Sequence, residues 1–227
     1  MKLVLTCEHA FNTIPQEYQN LFINAEETLE SHRGYDPGAL DLFKELKDLA
    51  DFSFFHKTGR LLVEVNRSKG HSSLFSEFTK KLSGKSKTKL LDQYYFPYRD
   101  SVEKQISSII EKGEKVLHFS VHTFTPKLDE EIRNTDIGLL YDPSRSEEKE
   151  FSKKFKQNIK NQNPELKIRF NYPYLGKADG FTTYLRKRFP ENYMGIELEV
   201  NQKFVSNNTM NSKHKKQVFS ALKSLLK

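Results

Sequence analysis

An open α/β fold is what this sequence predicts: three layers, with a mostly parallel or mixed sheet carrying helices on both faces. Three observations carry that expectation. Short apolar runs alternate with longer segments whose apolar residues recur at helical spacing, the pattern of strands joined by crossover helices. Four of the runs end in chemically loaded residues: LVLTC in Glu8-His9, LLVEV in Asn66-Arg67, VLHFSV in His122, and GIELEV at Glu199 before Asn201-Gln202. Ligands bind outside the carboxyl ends of the strands in such sheets, so polar endings of this kind belong there. The 227 residues also suit one domain with a substantial core, and no repeat, heptad array or linker divides them, so residues 1–227 are expected to form a single unit.

Along the chain, KLVLTC (2–7) reads as a buried strand and ALDLFKELKDLA (39–50) as a helix opened by Pro37-Gly38. FSFFHK (52–57) and RLLVEVNR (60–67) read as strands across Thr58-Gly59, a hairpin or tight connection. After a Gly/Ser-rich stretch at 68–76 and a Lys-rich one in the 80s, a helix is expected around 98–112. KVLHFSV (115–121) and DIGLLYD (136–142) are strands. Residues 146–161 form a helix whose acidic first turn and basic last turn suit its dipole. LKIRFN (166–171) is a strand, 179–189 a short helix, YMGIELEV (193–200) a strand and 211–226 a closing amphipathic helix.

Composition narrows the function. Hydrophobic content of 36% with 12% aromatics excludes a disordered chain, and 30% charged residues point to a soluble protein. Residues 2–7 are too short for a signal segment, and no apolar run approaches a bilayer span. The lone Cys7 has no internal disulfide partner, so a cytoplasmic location is expected. The net charge of +7 lies largely in SGKSKTK (83–89), KKFKQNIK (153–160) and SKHKK (212–216), which read as solvated surface. Neither nucleic acid nor membrane is an expected partner.

The chemistry sits at the strand ends. His9 and His122 occupy equivalent positions after two strands, and neutral imidazole is the usual zinc ligand. A third ligand should be a carboxylate. Glu8 adjoins His9 and so points to the opposite face, whereas Asp36 lies in a loop able to fold over the site, with a helix N-cap as its alternative role. Asn66-Arg67 suits a substrate carboxylate, because Arg supplies two parallel donors and Asn another. Arg60, at the other end of its run, could face an oxyanion only if the chain bends; otherwise it is a surface arginine. Arg133, Arg186 and Arg99 are further sources of positive charge. Glu197 and Glu199 share one strand face among apolar neighbours, where one could act as a general base with a raised pKa; a salt bridge to a nearby Lys or Arg is the alternative role. Glu199, nearer the carboxyl end, is the preferred base.

These residues fall in ordered blocks: TCEHA with Asn12 and Pro15, HRGYDPG (32–38), VNRS (65–68), SVHTFTP (120–126), GLLYD (138–142), NYPY (171–174) with Gly176, Asp179 and Gly180, and GIELEVNQ (195–202). Together they resemble the N-formylglutamate amidohydrolase family over roughly residues 3–205. That resemblance implies a zinc-carboxypeptidase-like fold and metal-dependent cleavage of an N-acyl amide. It adds weight to His9 and His122 as ligands and to Asn66-Arg67 as the clamp. The wider carboxypeptidase-like enzymes use His-x-x-Glu, whereas here Asn12 stands three residues after His9, so the resemblance assigns no third ligand and Asp36 stays a candidate beside its N-cap alternative. The expected activity is therefore a one-zinc amidohydrolase acting on a small anionic N-acyl amino acid such as N-formylglutamate. Cleavage of a small peptide or cell-wall fragment is the alternative activity, and a non-catalytic anion- or metal-binding domain the alternative class. The oligomeric state is open.

Overall fold

The computed structural model describes residues 1–226. Six strands, β1 (Lys2–Cys7), β2 (Phe52–Phe55), β3 (Val116–Phe124), β4 (Ile137–Leu140), β5 (Ile168–Phe170) and β6 (Tyr193–Asn201), form one sheet in the order β2-β1-β3-β6-β4-β5. Neighbours run parallel except β4, which is antiparallel to β6. The sheet is thus mixed and mostly parallel, with helices on both faces, as the alternating pattern predicts.

The main helices are α1 (Ala39–Leu46), α2 (Phe96–Ile110), α3 (Ser146–Gln162), α4 (Phe181–Arg188) and α5 (Ser212–Lys223). Ala39, Leu42, Phe43 and Leu46 make one buried stripe on α1, which packs with α3 and α5 over Leu3, Leu5, Phe119 and Leu198. Each large apolar side chain buried this way contributes about 1.5–3 kcal/mol. The opposite face is covered by α2 and α4, with Val102, Ile106, Phe181 and Leu185 joining Val4, Val116 and Tyr193 in a second core. Asn211 caps α5 by accepting from the Lys213 amide at 3.0 Å, and α3 has Glu147 and Glu148 in its first turn and Lys160 in its last. No helix among the described residues is long and apolar enough to cross a membrane.

Strand alternation sorts chemistry from packing. Leu117, Phe119 and Val121 of β3 and Ile196, Leu198 and Val200 of β6 belong to the first core. His118, Ser120 and His122, with Gly195, Glu197 and Glu199, therefore point to the other face.

One strand expectation fails. Residues 60–67 form turns rather than a strand, with the Leu62 amide bonded to the Gly59 carbonyl and the Arg67 amide to the Glu64 carbonyl. The segment reads as a strand because Leu61, Leu62, Val63 and Val65 are all buried, yet the place beside β1 belongs to β2. Its backbone is satisfied elsewhere: the Glu64 amide donates to Leu74, and Arg99 and Ser76 donate to the carbonyls of Val65 and Leu61. No hairpin joins it to β2. The Lys-rich 80s contain a short helix, Gly84–Leu90, running through one wide turn at Leu91–Tyr95 into α2.

Candidate metal and substrate site

A cleft of about 410 Å³ opens at the carboxyl ends of β1, β3 and β6. His9 follows β1 and His122 lies near the end of β3, while the Asp36 amide donates to the His9 carbonyl at 3.0 Å and so docks the 32–38 loop over the strand ends. The expected trio meets there. Asp36 Oδ2 lies 3.2 Å from His9 Nδ1 and 3.0 Å from His122 Nδ1, and all three side chains are almost fully buried. Asp36 is thus not a helix cap.

The other ring nitrogens are held from behind. His9 Nε2 is 2.7 Å from Glu64 Oε1, and His122 Nε2 is 2.9 Å from Ser120 Oγ and 3.3 Å from Glu8 Oε2. Ser120 donates to Glu8 Oε2 at 2.6 Å, and the Tyr98 hydroxyl donates to Glu8 Oε1 at 3.0 Å. Carboxylates accept, so the network assigns a proton to Nε2 of each ring. Both Nδ1 lone pairs then face a carboxylate oxygen, which requires a cation or additional protons between them. Two imidazoles and a carboxylate, with ligand atoms within 4.8 Å of one another, are a donor set compatible with a metal ion. Without one, the pKa of His9 rises: burial and Arg60 oppose its charge, but Glu64 and Asp36 outweigh them. His122 rises well above its ordinary value for the same kind of reason, against burial and through Asp36 and Glu8.

Glu199 differs from the other acids. Burial, with help from Asp36 and Glu197, pushes its pKa up to about 8, and its Oε2 is buried without a hydrogen-bond partner. Glu8, Glu64 and Asp36 are equally buried, yet their imidazole and guanidinium partners hold them well below the usual carboxylate range. Glu197 shares the cleft with Glu199, as two-residue strand spacing requires, but accepts from the Thr182 hydroxyl.

Arg60 is brought into the cleft by the turn that replaces the expected strand. Its Nε donates to Glu64 Oε2 at 2.7 Å and its Nη1 to Asp36 Oδ1 at 3.3 Å, leaving Asp36 Oδ2 to the histidines. Asn66 and Arg67 both line the cleft. Asn66 Oδ1 accepts from the Phe181 amide at 2.8 Å, leaving its amide nitrogen free to donate, while Arg67 donates to the Asp179 carbonyl. Arg99 supports this segment from behind, donating to the carbonyl of Val65 at 2.8 Å within a box of Tyr95, Phe181 and Tyr184 rings. Arg133 is not part of the cleft wall; its guanidinium lies over the Tyr174 ring, 5.4 Å from the centroid. Arg186 is a structural residue, bonded to buried Glu148 at 2.9 Å and to the Gly195 carbonyl at 2.6 Å.

Sequence reasoning missed Glu64 and Glu8 as supports of the imidazoles, and His32 as a wall residue. Glu8 carried a usable signal: alternation turns it away from His9 and onto the face shared by Ser120 and His122.

The geometry agrees with relationships to known proteins. The chain superposes on a gene product of Agrobacterium tumefaciens with a TM-score of 0.81 at 24% identity, covering 100% of this chain and 92% of the other. An N-formylglutamate amidohydrolase from Ralstonia eutropha JMP134 gives a TM-score of 0.75 at 12% identity, with coverage of 100% and 93%. At these identities the likeness establishes the fold. No curated protein matches the chain. The family model described as N-formylglutamate amidohydrolase matches residues 1–206, which include every cleft residue named above, and the chain belongs to the N-formylglutamate amidohydrolase family.

Proposed function

We propose that this protein is a zinc-dependent hydrolase that cleaves the amide of a small, anionic N-acyl amino acid, with N-formylglutamate as the named candidate. One observation carries the reading: a buried His9-Asp36-His122 donor set shares a cleft with an unpartnered carboxylate, Glu199, and with Asn66-Arg67. His9 Nδ1, Asp36 and His122 Nδ1 would hold the ion. When bound, such an ion polarises a carbonyl and lowers the pKa of water.

The remaining work falls to the chain. Asn66 and Arg67 orient the substrate carboxylate, the Arg fork fixing its plane. Arg60, fastened to Glu64 and Asp36, keeps a positive charge where a carbonyl oxygen gains negative charge. Glu199 takes a proton from the attacking water at its carboxylate and passes it to the leaving amine. Glu197, tied to Thr182, is the less suited of the two for that role. Arg133 contributes through Tyr174, which it holds at the cleft.

The test is hydrolysis of N-acyl amino acids by zinc-loaded protein, repeated after chelation. Release of free amine that disappears on chelation and returns with zinc supports the proposal. Equal turnover in loaded and chelated protein would rule out the metal.

A further inference from the structure

Beyond the metal and the clamp, the cleft has an apolar wall that a formyl group does not explain. Tyr174 and Leu175 line it while remaining 47% and 56% exposed, and the buried side chains of Phe124 and Leu140 back it from β3 and β4. Isolated exposed hydrophobics are common, but Tyr174 and Leu175 are adjacent and share one concavity.

The wall is built rigidly. Gly138 on β4 lets the loop after β5 lie directly on the sheet, since a methyl there would overlap the Tyr172 carbonyl. Gly176 packs against the Tyr141 backbone in the same way. Asn171 Oδ1 accepts from the amides of Tyr141 and Gly176 at 3.1 and 3.0 Å, and Arg186 donates to the Gly176 carbonyl at 2.5 Å. Tyr174 and Leu175 are thus held outward between fixed points, with Arg133 against the Tyr174 ring. Ordering apolar groups in water has a cost that an apolar ligand would recover.

Charge argues the same way. Glu197 stands beside Gly180 and Asn66, next to the clamp, so on that side of the cleft an uncharged substrate group is easier to place than a second carboxylate, while Arg60 is already held by Glu64 and Asp36. A cleft of about 410 Å³ also lies within the range that encloses ligands larger than an N-formyl amino acid.

We propose that this wall receives an apolar group of the substrate, so that the protein prefers N-acyl amino acids carrying a bulky aliphatic or aromatic acyl group or side chain. The inference rests on the amidohydrolase reading above.

Two substrate series test it with zinc-loaded protein. One varies the side chain: N-formyl derivatives of alanine, leucine, phenylalanine and glutamate. The other varies the acyl group on alanine, from formyl through butyryl to hexanoyl. A fully buried methylene is worth up to about fourfold, so half-burial of three should raise kcat/KM about tenfold along at least one series, and which series rises identifies the group. Leu175→Asp, at an exposed position that folding tolerates, should cut that gain to about twofold or less. Binding of the same compounds to Glu199→Gln protein by calorimetry gives a readout independent of turnover.

Rates that are flat or fall along both series, with N-formylglutamate best, overturn the wall and leave the reaction standing. An unchanged gain in Leu175→Asp overturns it too. Tighter binding of the apolar compounds without hydrolysis supports the wall and removes the reaction; neither binding gain nor hydrolysis removes both.

Discussion

Replacing Glu199 by Gln should make the protein more stable and inactive at once. In the metal-free state the carboxyl keeps its proton up to about pH 8, whereas an unfolded Glu releases it near 4.5. Because the folded pKa is raised, stability is full below pH 4.5 and declines as pH rises to 8. Each unit corresponds to about 1.4 kcal/mol, so at pH 7 the liability is at most about 3 kcal/mol, which Gln removes while filling the same space. Denaturant unfolding of chelated protein at pH 5 and pH 8 should show parent and variant close together at pH 5 and the variant clearly ahead at pH 8. In zinc-loaded protein, kcat should fall on the order of 10²–10⁴-fold while the metal stays bound. A variant that loses stability at pH 8, or keeps its turnover, would refute the idea that this carboxyl is held in a costly site for proton transfer. Loss of activity in Glu197→Gln with Glu199→Gln active would exchange the two roles.

Three other outcomes are expected. His122→Ala should lose stoichiometric zinc binding by calorimetry and still unfold cooperatively, because the cores on both faces of the sheet are independent of the site; full zinc occupancy would count against the ligand set. Arg67→Lys keeps the charge but not the fork, so it should impair substrates with a free carboxylate far more than their amides, and equal harm to both would make Arg67 structural. His118 is buried between Thr6 and the Tyr193 hydroxyl, and burial pulls its pKa down to about 4. Its neutral form supplies stability that is full above pH 6.5 and lost as pH falls to 4, so His118→Gln should flatten the acid limb of metal-free unfolding, leaving the share of His56, which burial lowers similarly.

Much of this architecture could be read from residue patterns because it rests on local signals. β1, β3 and β6 appear as continuous apolar runs since both their faces are covered, and α1, α3 and α5 show one apolar stripe each. The convergence of His9, Asp36 and His122 followed from strand-end position and the docked loop. Residues 60–67 misled because burial alone makes a run of Leu and Val, and nothing local reveals that β2 already occupies the neighbouring edge of β1. The antiparallel entry of β4 is likewise invisible without the tertiary path. Glu64 was hidden by the same error: read as one residue of a strand, its partnership with His9, 55 positions away, had no local trace.

The division between the two sheet faces explains why so many polar groups can be buried here. On β1, β3 and β6 one set of alternate residues supplies a uniformly apolar core, while the other set supplies Thr6, Glu8, His118, Ser120, His122, Glu197 and Glu199. Buried charges of this density are costly unless paired, and each acid but one is paired: Glu8 with Ser120, Tyr98 and His122, Glu64 with His9 and Arg60, Asp36 with both imidazoles and Arg60, and Glu197 with Thr182. Satisfying all of these partners locks the rings with Nδ1 turned inward, which fixes the donor set before any ligand arrives. The exception, Glu199, lies on the same face with an empty oxygen and a raised pKa. A network that pairs every acid except the one beside the donor set has the arrangement expected of a proton acceptor, since a fully paired carboxylate would be too weak a base.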